Sequence, residues 1–116
     1  MIKLKRAYES PSTRDGSRFL VDRLWPRGIR KAHLEVDAWL KDLGPSVALR
    51  RWFGHDPKKW DVFRKRYFAE LDANPEEWKR VVKAARRGTI TLIYSSRDAD
   101  HNNAVALKDY LQAKIK

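Results

Sequence analysis

The sequence predicts an α/β protein: a short, mostly parallel sheet of about three strands with four to five helices, in a three-layer-like arrangement. Three observations predict it. Runs with strand character occur at Ile2–Tyr8, Phe19–Leu24 and Thr89–Tyr94. Between the second and third lies a long stretch of apolar residues at helical spacing, divided by Gly and Pro. The chain of 116 residues, 42% hydrophobic and 11% aromatic with five tryptophans, suits one core and a single domain over residues 1–116.

Taken in order, Ile2, Leu4, Ala7 and Tyr8 alternate with basic residues, the pattern of a strand with one wet face. Glu9–Ser17 carries Ser10-Pro11-Ser12-Thr13 and Asp15-Gly16, which is loop chemistry. This connection is long enough for either a hairpin or a crossover without a helix. Phe19, Leu20 and Val21 are consecutive apolar residues, which suggests a central strand buried on both faces. Pro26 ends it and pushes Trp25 out of the helical region, and Gly28 lets the backbone turn away. Val36, Trp39, Leu40 and Leu43 predict a helix over Leu34–Leu43, closed by Gly44-Pro45. A short helix follows over Ser46–Phe53, closed by Gly54.

Asp56-Pro57 reads as an N-cap and first helical position, and Trp60, Phe63, Tyr67, Phe68 and Leu71 continue as an amphipathic helix. Asn74-Pro75-Glu76-Glu77 restarts the pattern with Asn74 as cap; Trp78, Val81, Val82 and Ala85 form the buried stripe, and Gly88 ends it. Thr89–Tyr94 is the third strand, Ser95–His101 a polar turn, and the last helix runs from about Asn102 to Ile115. There is no internal repeat or linker.

No cysteine is present, which removes disulfides, zinc–thiolate sites and cysteine nucleophiles together and makes a cytoplasmic protein the simplest expectation. No apolar run approaches the roughly 18–20 residues of a membrane span, and the N-terminus does not read as a signal peptide. Lys and Arg number 26 against 15 acidic residues, a net charge of +11, which brings nucleic acid or another polyanion into consideration. The basic residues are scattered rather than gathered in a tail. Arg50-Arg51 and Arg64-Lys65-Arg66 fit solvated faces.

If the second and third strands are parallel neighbours, their carboxyl ends lie side by side, where open α/β sheets bind ligands. Two loops then meet. One brings Asp22, Arg23, Trp25 and Arg27. The other, leading into a helix N-terminus, brings Ser95, Ser96, Asp98, Asn102 and Asn103. Guanidiniums, hydroxyls and unpaired backbone N–H groups favour an anion. The bland alternative is that Asp22 pairs with an arginine while Asp98 or Asp100 merely caps the helix. His55 is the candidate for proton transfer, and Asp22 would orient an arginine or act as a base. His101 with Asp98 and Asp100 is too loosely spaced to specify a metal, and neither a metal nor an organic cofactor is expected. No Gly-x-Ser-x-Gly elbow, Walker loop or dinucleotide fingerprint occurs. The aromatic stripe Trp39, Trp52, Trp60, Phe63, Tyr67 and Phe68 reads as core, not as a base-stacking platform.

Asp22-Arg23-Leu24-Trp25-Pro26-Arg27-Gly28, the run Leu49–Pro57, and Leu92-Ile93-Tyr94 followed by His101–Leu107 form a set. With them the chain resembles, over essentially its whole length, the YeaO-like branch of the domain-of-unknown-function family 488. The resemblance implies a compact bacterial or archaeal α/β domain and no established activity. It nominates Asp22, Arg23, Trp25, Arg27, His55, Asp56, Asp98, Asn102 and Asn103 as the site. Longer relatives carry a cysteine in the segment that here reads Ile93-Tyr94-Ser95-Ser96-Arg97-Asp98, so their thiol chemistry does not transfer. Ser95-Ser96 also departs from the small apolar residues of the short branch.

The leading expectation is a pocket for a small phosphorylated or carboxylated anion, with hydrolysis or transfer as the broadest class of reaction. A nucleic-acid-binding protein acting through its basic surface and a non-catalytic interaction module are the alternatives. The residues assign neither an enzymatic activity nor an oligomeric state.

Overall fold

The computed structural model describes residues 1–116. Its organising element is β4 (Ile90–Tyr94), whose five residues are all buried. It is buried because it has a parallel neighbour on each side: β1 (Ile2–Arg6) and β2 (Ser17–Leu20). A fourth strand, β3 (Ala38–Trp39), extends the sheet, giving the order β1-β4-β2-β3, parallel throughout. The connection from β1 to β2 is therefore a crossover containing only a 3-10 turn at Thr13–Asp15, not a hairpin.

Register decides which side chains share a face. Ile2 pairs with Ile90, and Leu4 and Phe19 with Leu92; these face the helices. On that side lie α2 (Val47–Phe53), α3 (Trp60–Asp72), α4 (Pro75–Arg87) and α5 (Asn103–Ile115). They close a core of 20 buried residues that includes Phe63, Tyr67, Val81 and Leu107. The other face carries only a four-residue cluster, Ala7, Leu20, Leu34 and Ile93, under the β2–β3 connection and the one-turn α1 (Lys31–Leu34). The second face is thus covered by connections, not by a full helical layer. No helix is long and apolar enough to cross a membrane.

Lys5 and Arg18 share that thinner face; Arg18 is buried and Lys5 half-buried. Asp15, 3% exposed, receives Lys5 Nζ at 2.9 Å and Arg18 Nη1 at 2.6 Å. The remaining Arg18 donors go to the carbonyls of Leu34 and Glu35. Thr91 Oγ1 donates to the Asp15 carbonyl at 2.7 Å. Burial alone would raise the Asp15 pKa; hydrogen bonds from Lys5, the Ser12 N–H and Arg18 outweigh it and hold the carboxyl at about 2. Gly16 follows with φ +63°, where a Cβ would sit 1.9 Å from the Thr89 carbonyl oxygen, so β2 enters beside β4 only with glycine there.

Four expectations are corrected. The helix over Leu34–Leu43 does not form. Glu35 takes a left-handed conformation after α1, Asp37 accepts the Arg18 N–H at 2.7 Å, and Leu40 N–H bonds to the Leu20 carbonyl. The open edge of β2 offered backbone partners that outweighed the helical spacing, leaving β3 and a 3-10 turn at Lys41–Leu43. Trp39 is consequently 40% exposed rather than core. The β2 ladder ends at Leu20, although Val21 N–H still reaches the Ile93 carbonyl. Asn74 makes no side-chain cap for α4; Pro75 at the first position and Glu76 and Glu77 serve that end.

Candidate functional site

Beyond the carboxyl ends of β1, β2 and β4 lies an open cleft of about 1010 Å³. Asp22, Arg23, Trp25 and Arg27 reach it from the exit of β2. Ser95, Ser96, Asp98, Asn102 and Asn103 reach it from the β4–α5 loop, and His55 from the turn after α2. Asp56 stands apart from the cleft: its Oδ1 accepts the Lys58 N–H and caps the 3-10 turn that leads into α3.

Asp22 is the clamp of this edge. Its Oδ2 accepts the Ser95 N–H at 2.9 Å and the Ser95 hydroxyl at 2.7 Å, and its Oδ1 accepts from Asn103 Nδ2 at 3.1 Å. The same Asn103 amide donates to the Val21 carbonyl, so one side chain ties β2 to the first turn of α5. Asp22 pairs with no arginine. Arg23 turns away instead, donating to the carbonyls of Pro45 at 3.0 Å and Gly44 at 2.9 Å. Its backbone N lies only 2.7 Å from where a Cβ on Gly44 would fall, so glycine is required at that approach.

Trp25 donates its indole N–H to the Ile29 carbonyl and meets Trp39 edge-on at 5.4 Å, fixing the turn that carries Arg27. Asn102 is 3% exposed and fully used: its carbonyl oxygen caps Val105 N–H and its amide donates to the Asp98 carbonyl. Asp98 does not cap α5. It closes its own turn, accepting from the N–H groups of Asp100 and His101, which with the His101 ring hold its carboxyl below the usual range. His101 Nδ1 is 3.1 Å from Asp98 Oδ2, and its ring stands edge-on to Trp60 at 5.4 Å. His55 is exposed with φ +58° and has no hydrogen-bond partner. No group of three or more His, Asp or Glu side chains is placed to hold a metal ion.

The cleft also contains Arg6, Tyr8, Arg50 and Arg97, which the residue-by-residue reading did not place there. Arg6 had a signal: it continues the Ile2, Leu4 alternation to the last position of β1, and its Nε donates to the carbonyls of Ser95 and Ser96. Its meaning depended on β1 lying beside β4, which local spacing does not reveal. Five arginines against the carboxylates of Asp22 and Asp98 make the cleft electropositive. Two of the five, Arg6 and Arg23, are held by carbonyl oxygens. Arg27, Arg50 and Arg97 are exposed, and their guanidiniums make no hydrogen bond or ion pair.

Against known proteins, residues 1–116 match the family model described as the inactive DUF488-N3 subclade. The chain belongs to that family. It is 41% identical over 112 residues to the uncharacterised protein YeaO of Escherichia coli K12, covering 97% of each chain. It is 35% identical over 113 residues to uncharacterised proteins of Mycobacterium bovis and Mycobacterium tuberculosis, covering 97% of this chain and 95% of theirs. No solved structure gives a significant match.

Proposed function

We propose that the cleft is a non-catalytic receptor for a phosphorylated or carboxylated anion. The observation that carries this reading is the division of labour among its polar groups. Arg27, Arg50 and Arg97 have no partner, whereas the oxygens that would perform chemistry are committed to the fold. Using Asp22 as a base would break its bonds to Ser95 and Asn103. No imidazole is bonded to Ser95 or Ser96; the base that the Ser95 hydroxyl meets is Asp22, whose oxygens are also held by the Ser95 N–H and Asn103. His55 lacks a partner to orient its ring. The family's description as inactive supports a binding role over hydrolysis or transfer.

Net charge alone supports a broader polyanion reading, but the aromatic residues of α2 and α3 do not strengthen it. Trp52 is covered by Arg66 at 4.3 Å and Lys59 at 5.1 Å, which removes it as a base-stacking surface. The test is a thermal-shift panel with phosphate, sulfate and a short oligonucleotide at two salt concentrations. Millimolar phosphate or sulfate raises the midpoint of the wild type, and Arg27→Ala together with Arg97→Ala abolishes the shift. An equal shift in the double variant overturns the reading. Stabilisation by the oligonucleotide alone, vanishing at high salt, transfers the function to the basic surface.

A further inference from the structure

Tyr8 lies beyond the end of β1 and outside both core clusters, 47% exposed, yet its ring is held fast. The Arg6 guanidinium sits 4.6 Å from the ring centroid, and the Tyr8 hydroxyl donates to the Arg27 carbonyl at 3.0 Å. The backbone beneath it is a closed turn, with Glu9 N–H bonded to the Arg6 carbonyl and Arg6 N–H to the Glu9 carboxylate. Arg6 is itself anchored on the Ser95 and Ser96 carbonyls. A ring restrained at this many points but left 47% exposed gains little from burial; one cation, Arg6, covers part of its π surface, unlike half-buried Trp52 with two, and the rest is preorganised at the wall of the cleft. In the same cleft, the Asn103 amide is bonded through Nδ2 while its oxygen has no partner, leaving an acceptor for an amino or hydroxyl group.

We propose that Tyr8 stacks the base of a nucleoside phosphate whose phosphate is taken by the unpaired guanidiniums. This rests on the anion-receptor reading and sets its specificity. A planar ring, an uncommitted acceptor and a cationic rim answer the three parts of such a ligand: base, polar edge and phosphate. A free mononucleotide and the end of a single strand share that chemistry.

The experiment is titration calorimetry of the full chain with inorganic phosphate, ribose 5-phosphate, AMP and a 5′-phosphorylated tetranucleotide. The variants are Tyr8→Ala, Tyr8→Leu and Tyr8→Phe, each checked for an unchanged melting midpoint. AMP binds about tenfold or more tighter than ribose 5-phosphate. Tyr8→Ala and Tyr8→Leu erase that preference without weakening ribose 5-phosphate, and Tyr8→Phe keeps it. A tetranucleotide tighter than AMP, with the same Tyr8 dependence, makes the strand the source; AMP as tight or tighter makes it the free nucleotide. Equal binding of AMP and ribose 5-phosphate by the wild type overturns the proposal and leaves the anion receptor standing. So does a loss of both ligands in Tyr8→Leu at an unchanged midpoint. Failure of all four ligands to bind the wild type overturns both.

Discussion

Two aspartates bracket β2, and they are satisfied in opposite ways. Asp15, just before the strand, is buried between two cations, and every charge near it is consumed. Asp22, just after the strand, accepts only from neutral donors, Ser95 and Asn103, and pairs with no cation. Both tie β2 to β4. Only the second tie lies in a cleft where three guanidiniums, those of Arg27, Arg50 and Arg97, have no intramolecular partner. A charge cluster that served the fold alone would close on itself as the Asp15 cluster does. The contrast separates a polar site closed within the fold from the one proposed above as a receptor.

The largest test of that contrast is removal of each carboxylate. Asp15→Ala leaves the buried Arg18 guanidinium without a counter-charge and costs about 3–5 kcal/mol in chemical denaturation. Asp22→Ala loses hydrogen bonds from neutral donors at a half-buried site and costs about 1–3 kcal/mol. Equal costs break the comparison.

Acid sharpens it. The Asp15 carboxyl titrates at 3.8 when unfolded and at about 2 when folded, so in that interval the unfolded chain holds more protons. Stability from this group is complete above roughly pH 4 and is lost as the pH falls toward about 2. Asp15→Asn flattens this part of the stability profile, read as denaturation midpoint against pH; an unaltered slope refutes the assignment.

Smaller still, Arg27→Ala changes stability by less than about 0.5 kcal/mol, because the side chain touches no partner. A larger loss assigns Arg27 to the fold. A small effect is also expected at His55, held at φ +58°. His55→Gly relieves that strain but frees the unfolded chain, and the two nearly cancel, to within about 1 kcal/mol. A severalfold drop in anion affinity in this variant adds the imidazole to the receptor; an unchanged affinity removes it.

These two ends of β2 were unequally legible in the sequence. The exit was readable because Asp22, Arg23, Trp25 and Arg27 are close in the chain, although the strand stops at Leu20, before the Pro26 that marked its end in the sequence. The strand-edge placement of Ser95 and Asn103 followed from one topological assumption, parallel pairing of β2 with β4. The entrance was not readable. Lys5, Asp15 and Arg18 are spread over a loop and two strands, and an alternating lysine looks the same whether it meets water or a buried carboxylate. The stretch from Leu34 to Leu43 misled for a related reason: its apolar residues have helical spacing, but the hydrogen bonds that decide its conformation come from Arg18 and Leu20, far back in the chain.

The strand order carries a consequence for how the chain comes to be folded. β4, the strand that joins β1 to β2, is the last of the four in sequence. Until residues 90–94 emerge from the ribosome, β1 has no strand to pair with, and β2 has only the two-residue β3. Nearly all of the sheet therefore assembles in one late step, by insertion of its central strand between two waiting edges. Such long-range closure is slow and leaves those edges exposed to other chains meanwhile. Nascent chains stalled before β4 should remain protease-sensitive through β1 and β2, and protection of both should appear together once it is released.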